Sequence, residues 1–525
     1  MMDLKDIKKL SAFEFSSMLL TVAAENKENK PVLNAGRGNP NWINTSARRA
    51  FLKLCKFAMN ESELTLKKTQ LAGYIESNGI YSRFIDFLKK DKEEHIFLKK
   101  SINYCVNILN MNPDEIVAEF CNGALGNNYP VPSRILKNTE NICFEYLKKN
   151  IFNNENIEGE TKLFATEGAS AAMCYIFKSL KLNGILKKGD KIAINTPIFS
   201  PYFQIPHLHE YEIVEVDLES KEENNWELTD SQLEILKDPQ IKMLFMVNPS
   251  NPGARALKEN DLLALKSLVE NFRKDLIILS DDVYATFVDN FKSIYATLPY
   301  NTILVYSYSK IFGTTGVRLG VVGINENNIL DDTLKNLPAN KKTLLRKRYS
   351  LISLKPDELS FVDRLSADSR DVALSHTSGL STPQQILMAL FSLVSLCDTK
   401  NSYIEECKKL VRKRYHNLYK GLGIPEYDGI ENSKYYTILD IYKIAETLYG
   451  TEFSSKLQKH ADTTDFLYYL ASEKGTVLID AMGFKASPGT LRVSQANLPS
   501  EAYIEIGKNI LDMINSYKEE FENEK

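Results

Sequence analysis

Thr302-Ile303-Leu304-Val305-Tyr306-Ser307-Tyr308-Ser309-Lys310-Ile311-Phe312-Gly313-Thr314-Thr315-Gly316-Val317-Arg318-Leu319-Gly320 opens as a β-branched apolar run and turns at once into hydroxyls, a lysine, glycines and an arginine. The first five residues read as a buried strand. Three more runs of this kind lie upstream: Lys191–Asn195, Met243–Val247 and Leu276–Ser280. Helical patterns separate them. Strands spaced in this way predict an α/β fold, with a mostly parallel sheet covered by helices on both faces.

Open parallel sheets place ligands beyond the carboxyl ends of their strands. Here those ends carry Asn248-Pro249-Ser250-Asn251-Pro252-Gly253 after the second run, Asp281-Asp282-Val283-Tyr284 after the third, and Ser307 to Arg318 after the fourth. Ala165-Thr166-Glu167-Gly168-Ala169-Ser170 precedes them and opens an apolar helix. The free N–H groups of a helix starting at Gly168, Ala169 and Ser170 favour a phosphate. Ser307, Ser309 and Arg318 add hydroxyl donors and a cation for the same group. Lys310 is an amine at the edge of that cup, suited to attack carbonyls once partly desolvated. Asp281 offers a fixed negative charge, and Asn251 and Tyr284 can orient a phenolate oxygen. A phosphate cup, an amine, a carboxylate and a phenolate holder together suit pyridoxal 5'-phosphate. A carboxylate facing its ring nitrogen at ~4 Å is worth about 4 kcal/mol at an effective dielectric of ~20.

The rest of the chain bounds the class of protein. It has 525 residues with a formal net charge of −3, which predicts more than one domain and argues against a nucleic-acid partner. No apolar stretch is long enough for a membrane span, and the charged N-terminus shows no secretory signal. The seven cysteines never fall as C-x-x-C, so reduced thiols in the cytoplasm are expected. The six histidines give no metal spacing. Residues 1–30 read as a helix with a charged end and 43–120 as helices. Residues 326–370 are polar and helical, with a basic run (Lys341, Lys342, Arg346, Lys347, Arg348) expected on a solvated face. Residues 383–420 read as one long helix. The predicted division is 1–125, a helical N-terminal segment belonging partly to a small domain; 126–380, a large cofactor-binding domain with an insertion at 326–370; and 381–525, a small α+β domain.

The S-x-S-K-x-x-G-x-x-G-x-R-x-G pattern from Ser307 to Gly320 resembles the aspartate-aminotransferase-like, fold type I pyridoxal-phosphate enzymes. That resemblance implies a seven-stranded sheet, and it makes Lys310 the Schiff-base lysine, Asp281 the partner of the ring nitrogen, and Asn251 with Tyr284 the partners of the ring hydroxyl. It gives Phe199 the place that stacks on the ring and Arg492 the clamp on the substrate α-carboxylate. Tyr129 takes the place of a tyrosine that reaches the neighbouring subunit's phosphate, so a homodimer at least is implied. The family's usual Asn-Pro-Thr-Gly reads Asn251-Pro252-Gly253-Ala254 here.

The extra length at 43–120 and 326–370, with Asn34-Ala35-Gly36-Arg37-Gly38-Asn39-Pro40 and Asp368-Ser369-Arg370-Asp371, resembles the branch that removes carbon dioxide from L-aspartate to give L-alanine. Side aspartate aminotransferase activity on 2-oxo acids is implied too, as is a higher homo-oligomer, a dodecamer. A pure aspartate or aromatic amino acid aminotransferase is the alternative. Aspartate aminotransferases carry an arginine on the β-carboxylate shortly before a Ser-x-Pro, and the corresponding Ser375–Pro383 stretch has none. Arg37 or Arg370 is expected to hold that carboxylate more loosely, with Gly38 allowing close approach of the ligand.

Overall fold

The computed structural model describes residues 12–89, 92–218, 227–372, 379–427 and 429–523. The Ser375–Ser378 part of the stretch read above lies outside them. Seven strands form the central sheet: β1 (Thr161–Thr166), β2 (Lys191–Thr196), β3 (Glu212–Asp217), β4 (Ile241–Val247), β5 (Ile277–Asp281), β6 (Thr302–Ser307) and β7 (Gly320–Asn325). Their order is β1-β7-β6-β5-β4-β2-β3. β7 alone runs antiparallel to its neighbours, pairing Gly320 with Thr166 on one side and with Ser307 on the other. The remaining pairs are parallel. All four runs expected as strands are strands. β4, β5, β6 and β7 are almost wholly buried, which is why their sequences are continuously apolar rather than alternating.

A smaller sheet of β8 (Tyr436–Asp440), β9 (Ile479–Asp480) and β10 (Thr490–Ser494) is ordered β8-β10-β9. It packs with the helices Thr463–Lys474 and Ala502–Asn523 into a second core, around Leu467, Leu491, Ile506 and Ile510.

The packing divides the N-terminal segment that was expected to lie partly in the small domain. Phe15, Leu19, Ala23 and Ala35 join the second core, and Leu33–Asn34 pairs with Thr476–Val477. The helices Ser46–Thr65, Ile80–Phe87, Glu93–Asn107 and Pro113–Leu125 instead extend the core of the large sheet. Ala47, Ala50, Leu54 and Phe57 recur at helical spacing and face that core.

The expected single helix over 383–420 is two, Thr382–Leu396 and Ser402–Leu422. Asp398 breaks it by accepting from the Lys400 and Ser402 N–H groups, and Asn401 adopts a left-handed φ of 51°. The second helix joins the two cores: Ile404, Cys407 and Val411 lie in the first, Leu418 and Leu422 in the second.

The basic run also differs from expectation. Arg346 pairs with Asp357 on the surface, but Arg348 reaches inward to buried Asp368 at 2.7 Å. Asp368 also accepts from Ser179 and Asn183, so the insertion is fastened to the helix Ala169–Leu182.

Candidate active site

The carboxyl ends of the large sheet's strands meet the small sheet in a cleft of about 340 Å³. Its walls carry Ala169, Ser170, Phe199, Asn251, Asp281, Tyr284, Ser307, Ser309, Lys310, Arg318 and Arg492, together with Gly38. Topology brings these distant residues together: those of the large domain follow strands that end on the same edge, antiparallel β7 starts there just after Arg318, and Gly38 and Arg492 are brought up from the N-terminal loop and the small sheet.

At one end, Ser307 Oγ lies 2.9 Å from Ser309 Oγ, beside the start of the helix Ala169–Leu182. Gly168 sits directly behind. Its φ is +87°, and a Cβ there would come within 2.8 Å of the Arg318 guanidinium, so only glycine lets that arginine close on the helix terminus. Arg318 Nη1 donates to the Thr315 carbonyl at 2.9 Å, which turns the guanidinium without neutralising it. Free helix N–H groups, two hydroxyls and an arginine make an anion cup.

In the middle, Lys310 Nζ donates to the Gly38 carbonyl at 3.1 Å. Asp281 is buried. Its Oδ2 accepts from Tyr202 Oη at 2.5 Å and its Oδ1 from the Val283 N–H at 3.2 Å. Burial pushes its carboxyl up to about 6, while Tyr202, Val283 and Lys310 pull the other way. A cationic ring nitrogen alongside would hold it ionised. Phe199 packs edge-on to Tyr202 with centroids 5.3 Å apart.

At the other end, Arg492 on β10 is 2% exposed and no carboxylate pairs with it among the described residues. Nη2 donates to the Gly36 carbonyl at 2.8 Å and Nη1 to Asn251 Oδ1 at 3.2 Å. Its Nε has no partner. A buried guanidinium without a counter-charge is costly unless a ligand supplies one. Asn251 also donates to Tyr284 Oη at 3.5 Å, so the expected pair stands together despite the altered tetrapeptide. Ala254, where the family has glycine, takes the left-handed φ of 62° and is held by its N–H to the Ser250 carbonyl.

Lys310, Arg318 and Arg492 face Asp281 as the one carboxylate on this wall. The excess of positive charge suits a ligand with anionic groups at both ends.

Family sequence features described as Aminotransferase class I and II match residues 127–507. The chain belongs to the class I and II aminotransferases. A Pseudomonas protein named bifunctional aspartate aminotransferase and L-aspartate beta-decarboxylase is 42% identical over 525 residues, covering 99% of this chain and 98% of its own. An aspartate aminotransferase of Pyrococcus abyssi is 31% identical over 183 residues, 34% of this chain and 44% of its own. The fold matches a Thermus thermophilus aspartate aminotransferase mutant at a TM-score of 0.61 and 15% identity, over 98% of this chain and 99% of that one.

Aminotransferases of this fold depend on pyridoxal phosphate, and the cleft fits it. The anion cup, Lys310, the buried carboxylate and the Asn251–Tyr284 pair line one cleft and supply the partners that the cofactor's phosphate, carbonyl, ring nitrogen and hydroxyl need.

Four sequence candidates lie off this wall or only border it. Gly168 backs Arg318. Arg37 is exposed between Gly36 and Gly38, whose carbonyls accept from Arg492 and Lys310. Arg370 donates to the Ser133 carbonyl at 2.5 Å and faces Glu167. Tyr129 is 74% exposed. Two phenols of the wall were not among the candidates, Tyr202 and Tyr436. Tyr202 follows Phe199 by three residues across the turn that opens the helix Pro201–Leu208, its N–H donating to the Phe199 carbonyl at 2.9 Å; Tyr436 lies in no motif.

Proposed function

We propose that this aminotransferase-family chain converts L-aspartate to L-alanine and carbon dioxide, with transamination of aspartate against 2-oxo acids as a side reaction. The observation that carries this reading is Arg492: a buried, uncompensated guanidinium on the same wall as Lys310, where the one other arginine among the described residues, Arg318, belongs to the anion cup at the opposite end. The full-length likeness to the Pseudomonas protein supports it.

Pyridoxal phosphate, when bound, supplies a carbonyl that an amine can condense with and a ring that stores an electron pair. Arg492 holds the substrate α-carboxylate through a charge-assisted, bidentate contact. Lys310 Nζ would hold the cofactor at its carbonyl and, when free, would take the substrate α-proton. Asp281 would be held ionised by the protonated ring nitrogen. Asn251 and Tyr284 would orient the ring hydroxyl, Phe199 would pack on the ring, and Gly168, Ala169, Ser170, Ser307, Ser309 and Arg318 would hold the phosphate.

Decarboxylation removes charge from the β-carboxylate. A tight arginine there would stabilise the ground state more than the transition state and favour transamination. Arg37 at the mouth, or Arg370 beyond the phosphate end, holds it loosely, and Gly38 lets the substrate approach. Tyr129 reaches the phosphate of a second copy, so the working unit is a homodimer at least, within a dodecamer by resemblance. Among the described residues no helix is long and apolar enough to cross a membrane, in keeping with a cytoplasmic enzyme.

Incubation of the holoenzyme with aspartate and no oxo acid tests the reading. Continuous, stoichiometric alanine and carbon dioxide are expected. A single turnover to oxaloacetate followed by arrest would mean an ordinary aminotransferase.

A further inference from the structure

Tyr436 begins β8, is buried at 3% exposure, and lines the cleft beside Lys310, Tyr284 and Arg492. Its ring lies under the Arg492 guanidinium, 4.5 Å from centroid to carbon. Its hydroxyl accepts from Tyr284 Oη at 3.1 Å and lies so close to Gly38 that any side chain there would collide with it. The Gly38 carbonyl in turn accepts from Lys310. The phenol therefore stands between the amine that handles the α-proton and the arginine that holds the α-carboxylate. The α-carbon of a substrate bound to both must pass this point, and the β-carbon is one bond away.

We propose, resting on the decarboxylase reading above, that Tyr436 is the acid that protonates the substrate β-carbon after carbon dioxide leaves. The Cβ–carboxylate bond breaks and carbon dioxide departs without its bonding electron pair. That pair stays with the substrate–cofactor adduct. The β-carbon then forms a C–H bond with the phenolic proton, and the O–H pair remains on Tyr436 as tyrosinate. Solvent returns one proton to the phenol, so the net change is loss of carbon dioxide and gain of one proton.

The surroundings suit that task. Burial opposes ionisation of Tyr436, but Lys310, Arg492 and the Tyr284 hydroxyl outweigh it and hold this phenol below its ordinary value. Burial and its tyrosine neighbours hold Tyr284 well above its own. Tyr202 is engaged by Asp281. Of the three phenols on the wall, Tyr436 is the one placed and tuned to give up a proton.

The test is Tyr436→Phe in the holoenzyme, reading carbon dioxide and oxaloacetate from the same aspartate sample. Transamination needs no β-proton. The ratio of carbon dioxide to oxaloacetate is expected to fall by about 30-fold or more, within the range of a lost general acid. An unchanged ratio, with both reactions slowed alike, overturns the proposal and assigns Tyr436 a packing role. A second reading needs no variant: wild-type enzyme turns over aspartate deuterated at the α-carbon in ordinary water. Deuterium at background in the alanine methyl group agrees with Tyr436 as donor. Transfer of the α-deuterium into the methyl group makes Lys310 the donor and overturns the proposal. Absence of carbon dioxide from wild-type enzyme instead sinks the decarboxylase reading, so the two failures are distinct.

Discussion

The two ends of the cleft are built differently. The phosphate end comes from one core: Ser307 ends β6, Ser309 and Arg318 sit between β6 and β7, and Ala169 and Ser170 follow β1. The substrate end is gathered from the loop at Gly36–Gly38, the loop after β4, and strands β8 and β10 of the second core. The first end is held by local turns and strand register. The second depends on how two cores meet. Cofactor binding is therefore the robust property of this chain, and reaction choice is the property a few substitutions at the other end can alter.

The largest expected effect removes the group both ends share. Lys310→Ala should lower either activity by about 10⁴-fold, the upper range for a lost acid–base group, while phosphate-end contacts still retain the cofactor noncovalently. Steady-state rates with cofactor titration check this. Activity within tenfold of wild type would break the comparison.

Asp281→Asn comes next. Losing a charge pair worth about 4 kcal/mol should slow both reactions by about three decades. The same residue gives a pH signature in cofactor-free protein. Its folded value of about 6 lies above the unfolded one, so the folded state binds the extra proton. That stability is full below about pH 4 and lost as pH rises through about 6. The difference amounts to about 3 kcal/mol. Denaturant unfolding of the Asn variant should lose less stability than wild type between these limits; equal losses would contradict the assignment.

Arg492→Ala should lower kcat/KM for aspartate by about 10²–10³-fold, as expected for losing a charged, bidentate contact, and leave cofactor affinity nearly unchanged. Equal losses in both would erase the distinction between the ends.

The smallest effects sharpen the substrate end. Arg37→Ala, at the mouth, should shift the ratio of decarboxylation to transamination by about threefold to tenfold, in keeping with a loosely held, solvated contact. Arg370→Ala, turned toward Ser133, should shift it less. Product ratios measured side by side decide between them, and a larger shift from Arg370 would place the β-carboxylate nearer the phosphate end.

This contrast also governs what could be read without a structure. Ser307-x-Ser309-Lys310 and Asp281 follow apolar strands directly, so their placement at one sheet edge follows from the parallel topology, and the phosphate end was legible. Arg492 was recognisable by family likeness, but its missing counter-ion is a property of packing. Tyr436 was not legible, because its partners lie about 60, 130, 150 and 400 residues away and no local pattern marks it. The helices at 46–125 were visible as helices, yet their apolar stripes do not specify which core they cover. The break at Asp398–Asn401 was hidden because neither glycine nor proline marks it; a side-chain cap does.

The central claim is that the strand-end constellation fastens the cofactor at Lys310. Borohydride reduction of the holoenzyme, followed by proteolysis and peptide mass mapping, tests it most directly. One pyridoxyl phosphate per chain on the peptide containing Lys310 is the expected result; the label on another lysine, or on none, would contradict the account.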